Sequence, residues 1–457
     1  MKKKILSLIL LNALINLCAI VPRTVLVIGD EDAGKGKVTY TVGAGARIIA
    51  CGQGEKREKG HKVCKGVEEY NLNLIPVGIV RNRDIECYLM AGMEIDPSVL
   101  VSEINYLKKK GKNVEGRLFI SSKAHVVMPY HKKLDALMAE KYKGSPDAGA
   151  CKGTGAAAAD KRLKMGIRIA DLMDSDHFKV VLQEQLTYAN EKIKKLFTIP
   201  KDKREKPFDF KEIYDLYSEY ARRLKPFVKE NLEYDLNKKI VQGVAVVFEG
   251  AQGVNLDVSL GSYPYVSSSS TTASGVCTGL GIGPSRIGWT VLVVPAYVTC
   301  HSAGPLPTEI KDESIVKLLQ AAHSKSCPNY SQRYGWIDLV QVRHTVMING
   351  VDSLVITKLD DLDDMDEIKL CYDYLIGTKH YDAMPTLISE AKKIKPHFIT
   401  MPGWKTSIKN ITKFSDLPEN ARAFIKKIEI LTGTPISYIS VGPDRKQMIM
   451  LNDLLPL

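Results

Sequence analysis

Unbroken apolar runs, rather than alternating ones, set the pattern along this chain. Val25-Leu-Val-Ile28 runs into Gly29, and Arg47–Cys51, Val241–Glu249, Trp289–Val298 and Ser353–Thr357 repeat the theme with β-branched residues. Such runs predict strands buried on both faces, as in a parallel sheet. Arg117–Ser121 reads as a further strand. Pro97–Lys108 has helical spacing, with Asp96 as N-cap and Pro97 at the first position. Lys132–Tyr142 predicts an amphipathic helix, and a helical region from Phe208 to Leu232 follows a charged, Pro-bounded linker. Ser145–Asp160 is rich in Gly and Ala and poor in large apolar residues, which predicts a flexible loop. Strands alternating with helices imply an α/β fold whose mostly parallel sheet is covered on both faces. No internal repeat or strong two-domain break is visible.

Composition changes this picture little. With 457 residues, 45% of them hydrophobic, the chain has material for a large core. The net charge of +12 favours anionic partners. However, the densest basic runs, Lys108–Lys112 and Lys201–Lys206, lack interleaved aromatics and read as solvated faces rather than nucleic-acid tracks. Anionic small substrates account for the charge as well. The nine cysteines form no C-x-x-C pair and no His/Cys cluster at metal spacing, which argues against zinc and against a disulfide framework. Lys2–Lys4 followed by Ile5–Val21 has the basic and apolar regions of a secretory signal, or of a hydrophobic anchor lying outside the fold. We read residues 1–23 as such an extension and residues 24–457 as one domain, with membrane contact only through residues 1–21.

The chemistry starts at Gly29-Asp-Glu-Asp-Ala-Gly34-Lys35-Gly36-Lys37. After a buried strand, the glycines allow a tight turn whose backbone N–H groups can face a phosphate, and Lys35 adds a compact positive charge. Gly29 and Gly34-Lys35 fit the P-loop spacing. Gly36, however, stands where a P-loop has the Ser or Thr that holds Mg²⁺.

Further segments follow in order: Gly60-His61; Arg117–Ser121 with Ala124-His125 and Tyr130-His131; Asp160-Lys161 with Gly166-Ile-Arg168; and Phe248-Glu-Gly-Ala-Gln-Gly253. Then come Tyr263-Pro-Tyr-Val266, Thr271-Thr272, Gly275–Gly279, Pro307-Thr-Glu309 and Gly335-Trp336. Thr357-Lys-Leu-Asp360, Pro402-Gly-Trp404 and Gly442-Pro-Asp-Arg445 complete the set. Together they resemble the adenylosuccinate synthetase family, from about Val25 to the C-terminus. The resemblance implies a P-loop NTPase-like nucleotide-binding architecture. It also implies a GTP-driven ligation of IMP and L-aspartate through a 6-phosphoryl-IMP intermediate, with Mg²⁺, in a cytoplasmic homodimer with shared sites. The signal-like N-terminus leaves a secretory or organellar location open.

On that resemblance, His61 is the catalytic histidine and the Gly60 carbonyl a Mg²⁺ ligand. Counting back from Gly-Lys-Gly-Lys makes Asp32 the catalytic base and second Mg²⁺ ligand; reading Gly-Asp-Glu literally gives Asp30 instead. GTP contacts fall to Gly34, Lys35, Gly36, Lys62, Arg333, Lys358, Asp360, Ser440, Gly442 and Pro443. An Asp carboxylate at 360 can accept both the N1–H and 2-amino hydrogens of guanine, donors that adenine lacks. Gln252, Ser267 and Lys164 match IMP contacts, with Lys164 in place of an arginine that crosses to the partner's IMP phosphate.

Four departures fall on ligand loops. Glu58 and Lys62 replace an Asn and a Thr around Gly60-His61. Gly149–Ala157 keeps only Thr154 of a hydroxyl-rich phosphate loop. Lys164 lacks the bidentate geometry of arginine. In the aspartate loop Pro328–Trp336 only Arg333 remains of an arginine cluster, and Cys300 replaces another arginine upstream. These departures raise the alternative of a nucleotide-binding pseudoenzyme or a ligase of altered specificity. A generic GTPase switch is disfavoured by Gly36 and by the absence of a paired Asp-x-x-Gly element.

Overall fold

In the computed structural model, the described residues are 22–29, 32–54, 60–66, 68–81, 84–141, 152–197, 206–300, 303–323 and 332–451. The signal-like segment, Asp30, Glu58 and the first four residues of the aspartate loop, 328–331, lie outside them.

The chain opens with β1 (Thr24–Gly29), helix α1 (Lys35–Val42) and β2 (Ile48–Cys51). A hairpin of β3 (His61–Lys65) and β4 (Glu68–Leu72) follows, then β5 (Glu86–Leu89) and the short β6 (Glu94–Ile95). Next come β7 (Leu118–Ser121), β8 (His125–Val126), β9 (Val228–Lys229) and β10 (Val246–Glu249). β11 (Trp289–Pro295), β12 (Tyr297–Cys300), β13 (Arg333–Asp338) and β14 (Ser353–Thr357) continue the order. β15 (Glu367–Ile376), β16 (Lys379–Tyr381), β17 (Lys395–Pro402), β18 (Ile436–Ser440) and β19 (Met448–Met450) close it.

Ten strands form one sheet in the order β19-β18-β14-β11-β1-β10-β2-β5-β7-β9. Every pairing is parallel except that of β19. β1 lies at its centre, with Val25 opposite Val247 on one side and Trp289 on the other, and all six of its residues are buried. This is why the strands read as continuous apolar runs: helices cover both faces. A five-stranded sheet of β12, β13, β15, β16 and β17 flanks the first. The parallel order brings the C-terminal ends of β1, β10, β14 and β18 to one edge, where α/β sheets hold ligands.

Several expectations hold. The helix Pro97–Lys109 is capped by Asp96, whose carboxylate accepts Ser98 N–H at 2.9 Å. The helix expected at 132 spans Pro129–Lys141.

Four others need correction. The expected loop Ser145–Asp160 holds a helix over Thr154–Arg162, built from its alanines. Asp135 caps it, accepting Gly153 N–H (2.7 Å) and Ala156 N–H (3.1 Å) across sequence, which local pattern cannot show. The helical region expected to Leu232 is Phe210–Leu224, followed by a 3₁₀ turn and β9. The strand expected from Val241 begins at Val246, because Leu232, Leu236 and Ile240 form a buried helical stripe of the helix ending at Val241. The run Trp289–Val298 divides at Pro295, and Tyr297 onward pairs with β13 in the second sheet.

Candidate active site

The turn after β1 leads into α1, which starts at Lys35. Lys35 is buried, and its Nζ donates to the Gly29 carbonyl at 3.0 Å, bridging the turn it follows. Asp32 adopts a left-handed conformation (φ 51°) and is half-buried. The turn is held against β14, because Thr357 Oγ1 donates to the Ala33 carbonyl at 2.6 Å.

Gly36 explains why this motif departs from a P-loop. A Cβ there would lie 2.8 Å from the Lys62 carbonyl oxygen, 2.9 Å from His61 Cβ and 3.0 Å from Lys62 N. The start of α1 packs directly on β3, and only glycine leaves room. Gly60, where the hairpin begins, has φ 55° and no space for a Cβ against the Leu72 carbonyl.

His61 is therefore placed against the start of α1, 6% exposed. Its Nδ1 hydrogen-bonds Glu249 Oε1, and Glu249 Oε2 accepts Val77 N–H at 3.0 Å. The Glu249 side chain is wholly buried at the end of β10. This partner was missed in the sequence, although a carboxylate ending the apolar strand Val246–Glu249 was its signal. Lys62, on the alternate side of β3, pairs with Glu69 at 2.7 Å.

At the end of β14, Lys358 is left-handed (φ 57°), with its ammonium 5.4 Å from the Tyr297 ring centre. Asp361 accepts the Tyr297 hydroxyl at 2.7 Å, and Asp363 accepts Trp404 Nε1–H at 2.9 Å. Burial, and next the neighbouring Asp361, push the Asp360 carboxyl up to about 7. Tyr334 is raised to about 12 by burial first and then by Asp32 and Asp361, so the phosphate-turn aspartate and the β14 loop share one electrostatic neighbourhood. Ser440 and Gly442 at the end of β18 meet α1 through Lys37 Nζ, which reaches Ser440 Oγ at 2.7 Å and the Gly442 carbonyl at 2.6 Å. Pro443 beside them is exposed.

Beyond Glu249, Gln252 is buried. Gln53, another residue without a sequence signal, braces that turn: its Oε1 accepts Ala251 N–H (3.2 Å) and its Nε2 donates to the Ser270 carbonyl (2.7 Å). Ser267 Oγ donates to the Leu256 carbonyl at 2.9 Å. A pocket of about 100 Å³ opens here, lined by Gly253, Leu256, Cys300 and Asp338 among others. Arg333 on β13 donates to the carbonyl of Gly304, which lines this pocket (2.5 Å), and lies 3.6 Å from Glu309. Lys164 is exposed and left-handed (φ 64°), just past the helix Thr154–Arg162.

Among the described residues, no group of three or more His, Cys, Asp or Glu could hold a metal ion. A hard cation held by one carboxylate, one backbone carbonyl and nucleotide phosphates needs no such cluster. Asp32 and the Gly60 carbonyl, both set by left-handed backbone beside the turn, offer that donor set. No helix among the described residues is long and apolar enough to cross a membrane.

A sequence model of the family described as Adenylosuccinate synthetase matches residues 26–449. An adenylosuccinate synthetase of Clostridium botulinum (strain 657 / Type Ba4) is 39% identical over 434 residues, covering 94% of this chain and 99% of its own length. That of Caldanaerobacter subterraneus subsp. tengcongensis is 40% identical over 430 residues, covering 93% and 97%. The solved structure of fully ligated adenylosuccinate synthetase from Plasmodium falciparum superposes with a TM-score of 0.85 at 28% identity, covering 94% of this chain and 99% of that one. With the glycine turn after β1, the buried histidine and the loop after β14 brought together, this chain belongs to the adenylosuccinate synthetase family, the GTP-dependent ligases that form a C–N bond.

Proposed function

We propose a division of labour among these residues for the ligation of IMP and L-aspartate to adenylosuccinate. Asp32 removes the N1 proton of IMP, which makes the 6-oxygen a better nucleophile toward the γ-phosphorus of GTP. His61 stabilises the charge passing between phosphate and oxygen, with Glu249 fixing its Nδ1–H and favouring its positive form. The aspartate amine then displaces phosphate from C6. Lys35 and the turn Gly34–Gly36 hold the phosphates; Asp360, Lys358, Ser440, Gly442 and Pro443 hold the guanine. Lys62 and Arg333 approach the nucleotide from β3 and β13. Gln252 and Ser267 contact IMP. Asp32 and the Gly60 carbonyl would hold Mg²⁺, which when bound neutralises phosphate charge. Exposed Lys164 serves the partner's IMP phosphate in a homodimer, and the cytoplasm is the compartment we assign.

The observation that carries this reading is the buried His61–Glu249 pair under the phosphate turn, in the space Gly36 leaves open. Phosphate release by the purified protein with GTP, Mg²⁺, IMP and aspartate, omitting each in turn, tests it. Release needing all four, with the ultraviolet change of a 6-amino-substituted purine, supports the assignment. GTP binding without such release sinks it.

A second reading, a ligase for a different amine or a nucleotide-binding pseudoenzyme, is favoured by one observation. Arg333, the arginine retained in the aspartate loop, is engaged by Glu309 and Gly304, and Cys300 beside it offers a thiol where the family has a guanidinium. Phosphate release that depends on IMP and on another amine, but not on aspartate, would favour it.

A further inference from the structure

Lys37 is the second lysine of the phosphate-turn motif, yet its ammonium is committed elsewhere. It is 7% exposed on α1, and its Nζ donates to Ser440 Oγ (2.7 Å), the Gly442 carbonyl (2.6 Å) and the Gln447 carbonyl (2.9 Å). An ammonium has three hydrogens and accepts nothing. These three oxygens match its whole donor capacity and leave none for a phosphate. All three belong to one segment, 440–447, between β18 and β19.

That segment folds around the cation. Val441 N–H donates to the Gln447 carbonyl (3.0 Å), and Asp444 N–H donates to Gln447 Oε1 (2.9 Å). On its other side it is tied to the hairpin that begins at His61. Gly66 N–H donates to the Asp444 carboxylate at 2.8 Å, and Arg445 N–H to the Cys64 carbonyl at 3.2 Å. One segment thus touches the guanine loop's neighbourhood, α1 and the catalytic hairpin.

We propose that Lys37 is a positioning residue that clasps segment 440–447 to α1, and so holds Ser440 and Gly442 in place for guanine without itself contacting the phosphates. The proposal rests on the guanine-site reading given above. Its physics is local. Without the cation, the Ser440 hydroxyl is left serving the Gly442 carbonyl (3.2 Å) and Val441 N–H the Gln447 carbonyl (3.0 Å), so three convergent oxygens lose the donor they share and the part-buried segment loosens toward water. A compact ammonium suits three convergent oxygens; a planar guanidinium fork does not. Burial lowers the Lys37 ammonium to about 8, opposed by Asp360, Asp444 and Cys64 facing it, so the clasp also supplies positive charge near the carboxylate that reads guanine.

The test uses the full chain with Lys37→Met and Lys37→Arg, following KM for GTP, KM for IMP and kcat, and the affinity for tripolyphosphate as a probe of the phosphate turn alone. Losing charge-assisted hydrogen bonds should raise KM for GTP about 10- to 100-fold in Lys37→Met, and less in Lys37→Arg. The kcat at saturating GTP, KM for IMP and tripolyphosphate affinity should stay within about twofold. Should Lys37→Met not fold, Lys37→Arg carries the same comparison of GTP with tripolyphosphate. An equal loss of both ligands would make Lys37 a phosphate contact and overturn the proposal, and so would an unchanged KM for GTP. Asp360→Asn separates the two levels. If it keeps its preference for GTP over xanthosine triphosphate, the guanine reading fails and takes the clasp with it. If it switches while the Lys37 variants do nothing, the clasp alone fails.

Discussion

Glu249→Gln is the sharpest perturbation of this site, because it changes one charge and almost no volume. Both carboxylate oxygens are in use: one faces His61 Nδ1, and the other accepts Val77 N–H at 3.0 Å in a side chain with no exposure. A glutamine has one oxygen and one NH₂. If the oxygen stays on Val77 N–H, the NH₂ faces Nδ1, which must then be a bare acceptor. The imidazole tautomer flips, Nε2 carries the hydrogen, and no anion remains to support a positive ring. Hydrogen bonds to charged groups contribute about 1.5–3 kcal/mol, so kcat should fall about 10- to 150-fold. KM for GTP and IMP should stay within about threefold, since Glu249 is assigned no substrate contact. Initial rates of phosphate release at saturating substrates supply kcat. A double-mutant comparison supplies the logic: if Glu249 acts through His61, then Glu249→Gln in a His61→Asn background costs almost nothing further. A fully additive loss, or a Glu249→Gln enzyme at wild-type rate beside an inactive His61→Asn, would refute the argument.

Other consequences follow from the same geometry. In our reading Asp360 must be ionised to accept both guanine donors, and burial pushes its carboxyl up to about 7. Its own contribution to apo stability has the opposite sign: a folded-state value raised above the unfolded one adds stability at low pH that is lost as pH rises to about 7. Between pH 8 and 6, KM for GTP should climb, approaching about tenfold per unit below 7, while this group raises the apo melting temperature. Asp360→Asn should remove both trends. Gly36→Ala pushes a methyl into the His61–Lys62 backbone, so it should destabilise by about 1–3 kcal/mol in chemical denaturation and depress kcat more than KM for IMP. Asp135→Ala uncaps the helix Thr154–Arg162 and should cost about 1–2 kcal/mol by the same measurement, with Asp135→Asn intermediate.

What the sequence made legible divides along a physical line. Strands buried on both faces announce themselves, because every residue of Thr24–Gly29 or Ser353–Thr357 is apolar or small, and the parallel sheet followed from that alone. The helix at Pro97 was legible from its cap. What failed was non-local. The helix Thr154–Arg162 is capped by Asp135, eighteen or more residues away, so its own glycines and alanines looked like a loop. Glu249 acquires its role 188 residues from His61, and Gln53 braces Ala251 from 198 residues away. The turn after β1, His61 and the loop after β14 do meet, but their supporting partners come from the sheet order, which no local pattern encodes.

Gly36 shows how one position joins the two halves of the chemistry. In an ordinary P-loop the residue after the lysine carries the hydroxyl that holds Mg²⁺. A Cβ at that position would sit 2.9 Å from His61 Cβ and 2.8 Å from the Lys62 carbonyl oxygen, so a hydroxyl ligand and this histidine cannot share the turn. The chain accommodates the histidine, and the hydroxyl is lost. In our reading the cation's oxygens are then supplied from either side of the gap, by Asp32 before the turn and by the Gly60 carbonyl next to His61 itself. The metal ligand and the catalytic ring are thus consecutive residues on one hairpin, and segment 440–447 fastens that hairpin at Cys64 and Gly66. A shift of the hairpin would displace both groups together. This makes the packing of β3 on α1, rather than any single ligand, the feature on which activity should depend most steeply.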